Sequence, residues 1–139
     1  MLFRSASIDI NANICRLVID SVAILRQSQE FSEKYLVKIL GFISESFAEL
    51  DKFIFRDKKY VINKQLFKLY WSLEALKLFV HDIDLEILLP ILERAAQEKE
   101  YTIRERVAQI VILLEAPELN NIKECLKSDE NYYVRNVFS

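Results

Sequence analysis

The residues best suited to chemistry in this chain are few and scattered. His81 is the only histidine, with Asp82 beside it and Asp84 three residues on, a grouping that a proton shuttle or metal site could use. Neither aspartate is helically phased with a nucleophile and no second histidine completes a site. The pattern therefore reads as a turn whose aspartates cap the next helix. Glu93, Glu98, Glu100 and Glu105 could hold a divalent cation, but Arg94, Lys99, Arg104 and Arg106 are interspersed with them. That alternation predicts a solvated, salt-bridged surface. No catalytic residue, metal ligand or cofactor site is assigned, and the chain is expected not to be an enzyme.

Two stretches suggest binding instead. Residues 52–77 carry seven cations (Lys52, Arg56, Lys58, Lys59, Lys64, Lys68 and Lys77) against Asp57 and Glu74, with Phe53, Phe55, Tyr60, Phe67, Tyr70 and Trp71 interleaved. Cations beside aromatic rings are what phosphate attraction plus base stacking requires, and Arg56, Lys58, Lys59, Lys64 and Lys68 would form the nucleic-acid face. Lys64 and Lys68 are one helical turn apart, facing away from Leu66, Leu69 and Leu73, so a solvated helix face gives the same pattern. Tyr132 and Tyr133 beside Arg135 form the second stretch. Tyrosine and arginine are enriched in binding hot spots. The alternative is that they pack against a further repeat. Together with Glu98, Glu100 and Arg104 they are the candidate contacts to a partner protein.

The elements that must position these residues are helices. One Gly and two Pro in 139 residues are too few for the tight turns of sheets. Residues 7–26 read as a first helix, capped by Ser7 or Asp9, with Ile14, Leu17/Val18, Val22 and Leu25 at helical spacing. A polar break at 27–31 and a cap at Ser32 lead to a long helix with the stripe Leu36, Leu40, Ile43, Phe47, Leu50 and Ile54. Gly41 lies inside it and is expected to let a neighbouring helix approach closely. After a turn at 56–59, Ile62, Leu66, Leu69, Leu73, Leu76 and Val80 repeat the spacing, so the two long helices should pack antiparallel. The next helix carries Leu85, Leu88, Leu89 and Leu92 and should be kinked at Pro90. Thr102 should cap a helix bearing Ile103, Val107, Ile110, Val111 and Leu114. Pro117 starts one bearing Leu119, Ile122 and Leu126, and a last helix opens at Tyr133.

Composition bounds the class further. Half the residues are apolar and 29% are charged, which is globular, and the length fits one domain. Residues 1–81 hold 12 Lys/Arg against 9 Asp/Glu, whereas 82–139 hold 7 against 12, a basic part followed by an acidic one. Cys15 and Cys125 are expected to be reduced and buried, in a cytoplasmic protein. No secretory signal or membrane-spanning run is evident.

A repeat runs through the acidic part. Leu88-Leu89-Pro90-Ile91-Leu92, a polar link and Ile103-Arg104 are followed by Leu119, Ile122, Leu126, Asp129 and Val134-Arg135, and the two arginines lie 31 residues apart. This pattern resembles the HEAT-like helical repeats of the phycobilisome-lyase class, over about residues 84–139. The resemblance implies that a link aspartate, here Asp129, bonds nearby backbone. It also implies that Arg104 and Arg135 tie neighbouring repeats together, with Glu98 or Glu100 where the earlier repeat would carry its aspartate. The expected fold is all-α, with six to seven helices in antiparallel pairs stacked as a short HEAT-like α-solenoid. Residues 1–81 would be its long-helix part and 84–139 the repeats, the last truncated. Val134, Val137 and Phe138 would then lack neighbours and be covered by a partner or by a second copy of the chain.

The expected function is a non-enzymatic protein–protein interaction module. It would be a small cytosolic adaptor or inhibitor, for instance of the immunity type that neutralises a basic toxin. The alternative is nucleic-acid or phosphate binding through residues 52–77.

Overall fold

The computed structural model describes residues 12–52 and 59–139, with side chains at 13–52 and 61–139. Among the described residues the chain is all-helical. Seven α-helices follow one another: α1 Ala12–Leu25, α2 Gln29–Asp51, α3 Lys59–Leu76, α4 Leu85–Ala96, α5 Tyr101–Val111, α6 Asn120–Lys127 and α7 Tyr132–Asn136. Short 3-10 turns, Lys77–Phe79 and Pro117–Leu119, lead out of α3 and into α6. Among the described residues no helix is long and apolar enough to cross a membrane. The chain divides into two compact units, one ending at Leu78 and one spanning Phe79–Ser139.

In the first unit α3 packs on both α1 and α2. That central position explains why Trp71, Ser72, Leu73, Glu74, Ala75 and Leu76 are all buried. A helix with neighbours on two sides has no outward face over that turn. The buried Glu74 carboxylate is met by Lys77 Nζ at 2.9 Å and Arg16 Nη1 at 4.0 Å. The Arg16 guanidinium also sits 5.2 Å from the Trp71 ring centroid, tying α1 to α3.

The faces of α1 and α2 match the expected ones only in part: Val22, Ile43 and Leu50 are buried as expected. On α1 the buried residues are Cys15, Ile19 and Val22, whereas Ile14, Leu17 and Leu25 are exposed. Apolar residues fall on more than one side of α1, so its periodicity does not choose a face. On α2 the buried face is Tyr35, Ile39, Phe42, Ile43, Ser46 and Leu50, while Leu36, Leu40 and Phe47 are only half-buried. The tyrosine and serine on the inner side shift the face by about one residue. Ile54 lies outside the described residues. The α2 cap is Ser28, whose Oγ accepts the Phe31 N–H at 3.4 Å, and Ser32 lies within the helix, donating to the Arg26 carbonyl at 2.7 Å.

Gly41 does not admit a neighbouring helix. A Cβ built there meets nothing within 4 Å, and the position is exposed. Its only effect on the helix is the conformational freedom it leaves to the unfolded chain, so Gly41→Ala should stabilise the protein by about 1 kcal/mol. Urea denaturation followed by circular dichroism measures this directly. A destabilised variant would show that a close approach exists after all.

In the second unit α5 is central, touching α4, α6 and α7. Leu88, Leu92 and Ala95 of α4, Ile103, Val107, Ile110 and Val111 of α5, Leu119, Ile122 and Leu126 around α6, and Val134 of α7 form its core. Pro90 is exposed within an otherwise continuous α4. The N-caps of α4 and α5 are Asp84 and Glu100, neither making a side-chain bond to a backbone N–H of its helix, and Thr102 is already helical.

Two expectations fail here. Val134 has no exposed surface, because α7 lays it between α5 and α6, and Val137 and Phe138 are half-buried. Cys15 is buried but Cys125 is exposed, and neither is in a disulfide.

Candidate functional site

The candidate site is built from two links at one end of the second unit, residues 97–100 between α4 and α5 and 128–131 between α6 and α7. Arg104, in the first turn of α5, reaches both. Its Nε and Nη2 donate to the Asp129 carboxylate at 2.8 and 3.0 Å, a bidentate pair. Its Nη1 donates to the carbonyls of Glu98 at 2.9 Å and Lys99 at 2.8 Å. Asp129 in turn accepts the Asn131 N–H at 2.9 Å, and its own carbonyl accepts Arg135 Nη1 at 2.6 Å. Asn131 then caps α7, its Oδ1 accepting the Tyr133 N–H at 2.8 Å. One guanidinium and one carboxylate thus fix both links.

The charges respond to one another. The hydrogen bond to Asp129 raises the Arg104 pKa, against the opposing effect of its burial. Burial pushes the Asp129 carboxyl up, but the Arg104 bond, the Asn131 N–H and the charges of Arg104 and Arg135 outweigh it and hold the group below its ordinary value.

On this support stands an aromatic cluster. Tyr133 stacks on Tyr101 with ring centroids 5.9 Å apart, and Tyr132 meets Tyr133 edge-on at 5.6 Å. Tyr132 and Tyr133 are 61% and 58% exposed, the most exposed aromatic rings among the described residues. Beside them runs a groove of about 440 Å³ lined by Lys99, Glu100, Tyr101, Arg104, Glu130 and Asn131. Its guanidinium is already committed to Asp129 and two carbonyls, so Arg104 braces the groove rather than offering a cation to it. What it offers is aromatic area with phenolic hydroxyls at a polar rim, the composition of a protein-binding hot spot. No family model, curated protein or solved structure matches this chain.

The six candidate partner contacts fall into two layers. Glu100, Tyr132, Tyr133 and Arg135 reach the surface around the two links. Glu98, 1% exposed and bonded by Arg94 at 3.3 Å, and Arg104, 8% exposed, lie beneath and brace them. Arg106 is also buried and pairs with Glu105 at 2.6 Å, so the Glu/Arg run is not the solvated surface its alternation predicts. Among the described residues no group of His, Cys, Asp or Glu could hold a metal ion. His81 is exposed, in the turn before α4.

The basic stretch is less open than its composition implies. Arg56, Lys58 and the Lys59 side chain lie outside the described residues. Lys64 is exposed, but Lys68 is half-buried, its ammonium 2.8 Å from Glu45 and 5.2 Å from the Phe42 ring centroid. That ammonium holds the Glu45 carboxyl below its ordinary value, by its hydrogen bond and its charge. Lys52 pairs with Glu49 at 2.7 Å and Lys77 with Glu74 at 2.9 Å. Trp71 is 5% exposed and packs edge-on against Tyr70 and Phe67, so the largest ring is not available for stacking on a base.

Tyr101, Glu130 and Asn131 belong to the site although their sequence neighbourhood does not single them out. Asp129-x-Asn131 is a turn signal in hindsight, since aspartate and asparagine bond backbone two residues on. Tyr101 carries no such signal, because only the packing of α7 against α5 brings Tyr133 to it.

Proposed function

We propose that this chain is a non-enzymatic protein-binding module, an adaptor or inhibitor that docks a partner through the tyrosine end of its second unit. The observation that carries the reading is the pair of exposed tyrosines on braced backbone. Exposed aromatic rings on rigid support lose little entropy on binding and bury large area. The reading includes a HEAT-like pairing of α4 with α5 and of α6 with α7, supported by the 31-residue spacing of Arg104 and Arg135. It also places the protein in the cytoplasm, supported by two cysteines that form no disulfide. Nucleic acid is the weaker alternative, because Lys52, Lys68 and Lys77 are already paired.

The test is affinity capture from nuclease-treated lysate of the native cell, comparing wild type with a Tyr132→Ala/Tyr133→Ala variant. One stoichiometric protein should survive nuclease and be lost with the variant, a weakening of roughly 30-fold or more. Both side chains are exposed, so the variant's circular dichroism should match wild type. Capture unchanged by the double substitution, or recovered only with intact nucleic acid, sinks the proposal.

A further inference from the structure

The other end of the second unit differs in chemistry. There the 80–85 segment and the N-terminus of α4 meet the residues that follow α5. They enclose a groove of about 330 Å³ with an apolar floor of Ile83, Leu85, Leu88, Leu114 and Ala116, and His81 and Glu115 at its walls. Ile87, Ile112 and Leu113 lie on the flanking segments and are each close to half exposed, at 49%, 48% and 46%. At the small end of ligand clefts, this groove accommodates one or two aliphatic side chains rather than a cofactor.

The charge around it is predominantly negative. Residues 80–88 and 112–119, the segments that frame the groove, contain Asp82, Asp84, Glu86, Glu115 and Glu118 and no lysine or arginine. All five carboxylate residues are exposed, and none takes part in an ion pair among the described residues. The nearby cation, Lys123, has its ammonium on the Leu114 carbonyl at 2.8 Å. Asp84 and Glu86 complement the positive N-terminus of α4. Glu115 and Glu118 precede and enter only a short 3-10 turn. Elsewhere in this unit Arg94, Arg104, Arg106 and Lys127 are matched by Glu98, Asp129, Glu105 and Glu124, so the unit's excess of negative charge is concentrated around the groove.

We infer that this groove is a second docking site, taking a basic segment of a partner protein whose aliphatic side chain enters the groove while flanking lysines or arginines meet the carboxylates. The apolar floor supplies affinity and the acidic rim selects the partner and speeds its encounter. Acidic segments with the same aliphatic anchor are repelled by the rim, and neutral ones bind more weakly for want of its attraction. The site does not depend on the tyrosine end and can be occupied at the same time.

The probe is a fluorescein-labelled peptide with two leucines one helical turn apart among lysines and arginines, titrated with the full chain by fluorescence anisotropy. Binding should saturate in the micromolar range, about 1–100 µM, and weaken several-fold as salt is raised to about 0.5 M. Glu115→Lys/Glu118→Lys should weaken it at least about tenfold, and Glu115→Gln/Glu118→Gln by less. A peptide with serine in place of both leucines should also lose about tenfold, which separates a groove from diffuse charge attraction. Tyr132→Ala/Tyr133→Ala should leave the titration unchanged, so failure at one end is distinguishable from failure at the other. No saturable binding up to about 1 mM overturns the inference. So does equal binding of the serine peptide or indifference to Glu115→Lys/Glu118→Lys.

Discussion

Replacing Asp129 with alanine is expected to destabilise the protein by about 3 kcal/mol, the largest loss from any single polar side chain in the second unit. The substitution leaves the Arg104 side chain, only 10% exposed, with no anion nearer than the exposed Glu130 at 4.0 Å but still held against the Glu98 and Lys99 carbonyls. It also removes the acceptor for the Asn131 N–H. Urea denaturation should show the midpoint falling with little change in slope. Replacing both partners, Arg104→Met with Asp129→Leu, should cost much less than either single change predicts, because no charge is then stranded.

The pH dependence carries a definite sign. The Asp129 carboxyl titrates below its ordinary value in the folded protein, so its ionised form is favoured by folding. The stabilisation is fully present above the unfolded-state value of about 4 and is lost as pH falls through the lower folded value. Wild type should therefore lose stability on acidification below about pH 4 more steeply than Asp129→Asn, which has no carboxylate to protonate there. Parallel acid curves would show that the pair contributes nothing through its charge.

Much of the fold is legible in the sequence because helical periodicity, glycine scarcity and link residues agree with one another. The existence of α4 to α7 and the inward set Leu88, Leu92, Ile103, Val107, Ile110, Leu119, Ile122 and Leu126 follow from spacing, whereas the ends of α5 and α6 do not, since α5 stops at Val111 and Pro117 opens a 3-10 turn before α6. What spacing does not decide is which face wins when a helix is apolar on several sides. Ile14, Leu17 and Leu25 occupy as regular a stripe as Cys15, Ile19 and Val22, yet only the second set is buried. Charge alternation misleads for a similar reason. Arg104 and Arg106 look solvated in a Glu/Arg run, but their long stems carry the guanidinium to a link or a neighbouring carboxylate while most of the side chain is covered. Of the candidate site, Tyr132, Tyr133 and Arg135 are visible in sequence as residue types, whereas their union with Tyr101 depends on a contact about thirty residues long in sequence, which no local pattern encodes.

That union depends on Val134, and Val134→Asp is expected to destroy it. A helix of five residues has no stability of its own. α7 persists because Val134 is buried against α5 and α6, while Asn131 caps the helix and Arg135 holds the preceding link. An unpaired carboxylate at that position costs several kcal/mol if it stays buried. The chain avoids part of that cost by detaching α7, so the measured loss is limited by the free energy of local opening, about 3 kcal/mol. Hydrogen exchange should accordingly show protection lost at the amides of Arg135, Val137 and Phe138, which bond within this turn, while the α5 core stays slow. Val134→Ala, which only removes packing, should cost about 2 kcal/mol and keep that protection measurable. Partner capture should fail with Val134→Asp although neither exposed tyrosine is altered, because their geometry is set by α7 and not by the rings themselves. Capture retained with α7 detached would mean that the tyrosines bind as a flexible segment, and the braced links would then serve stability alone.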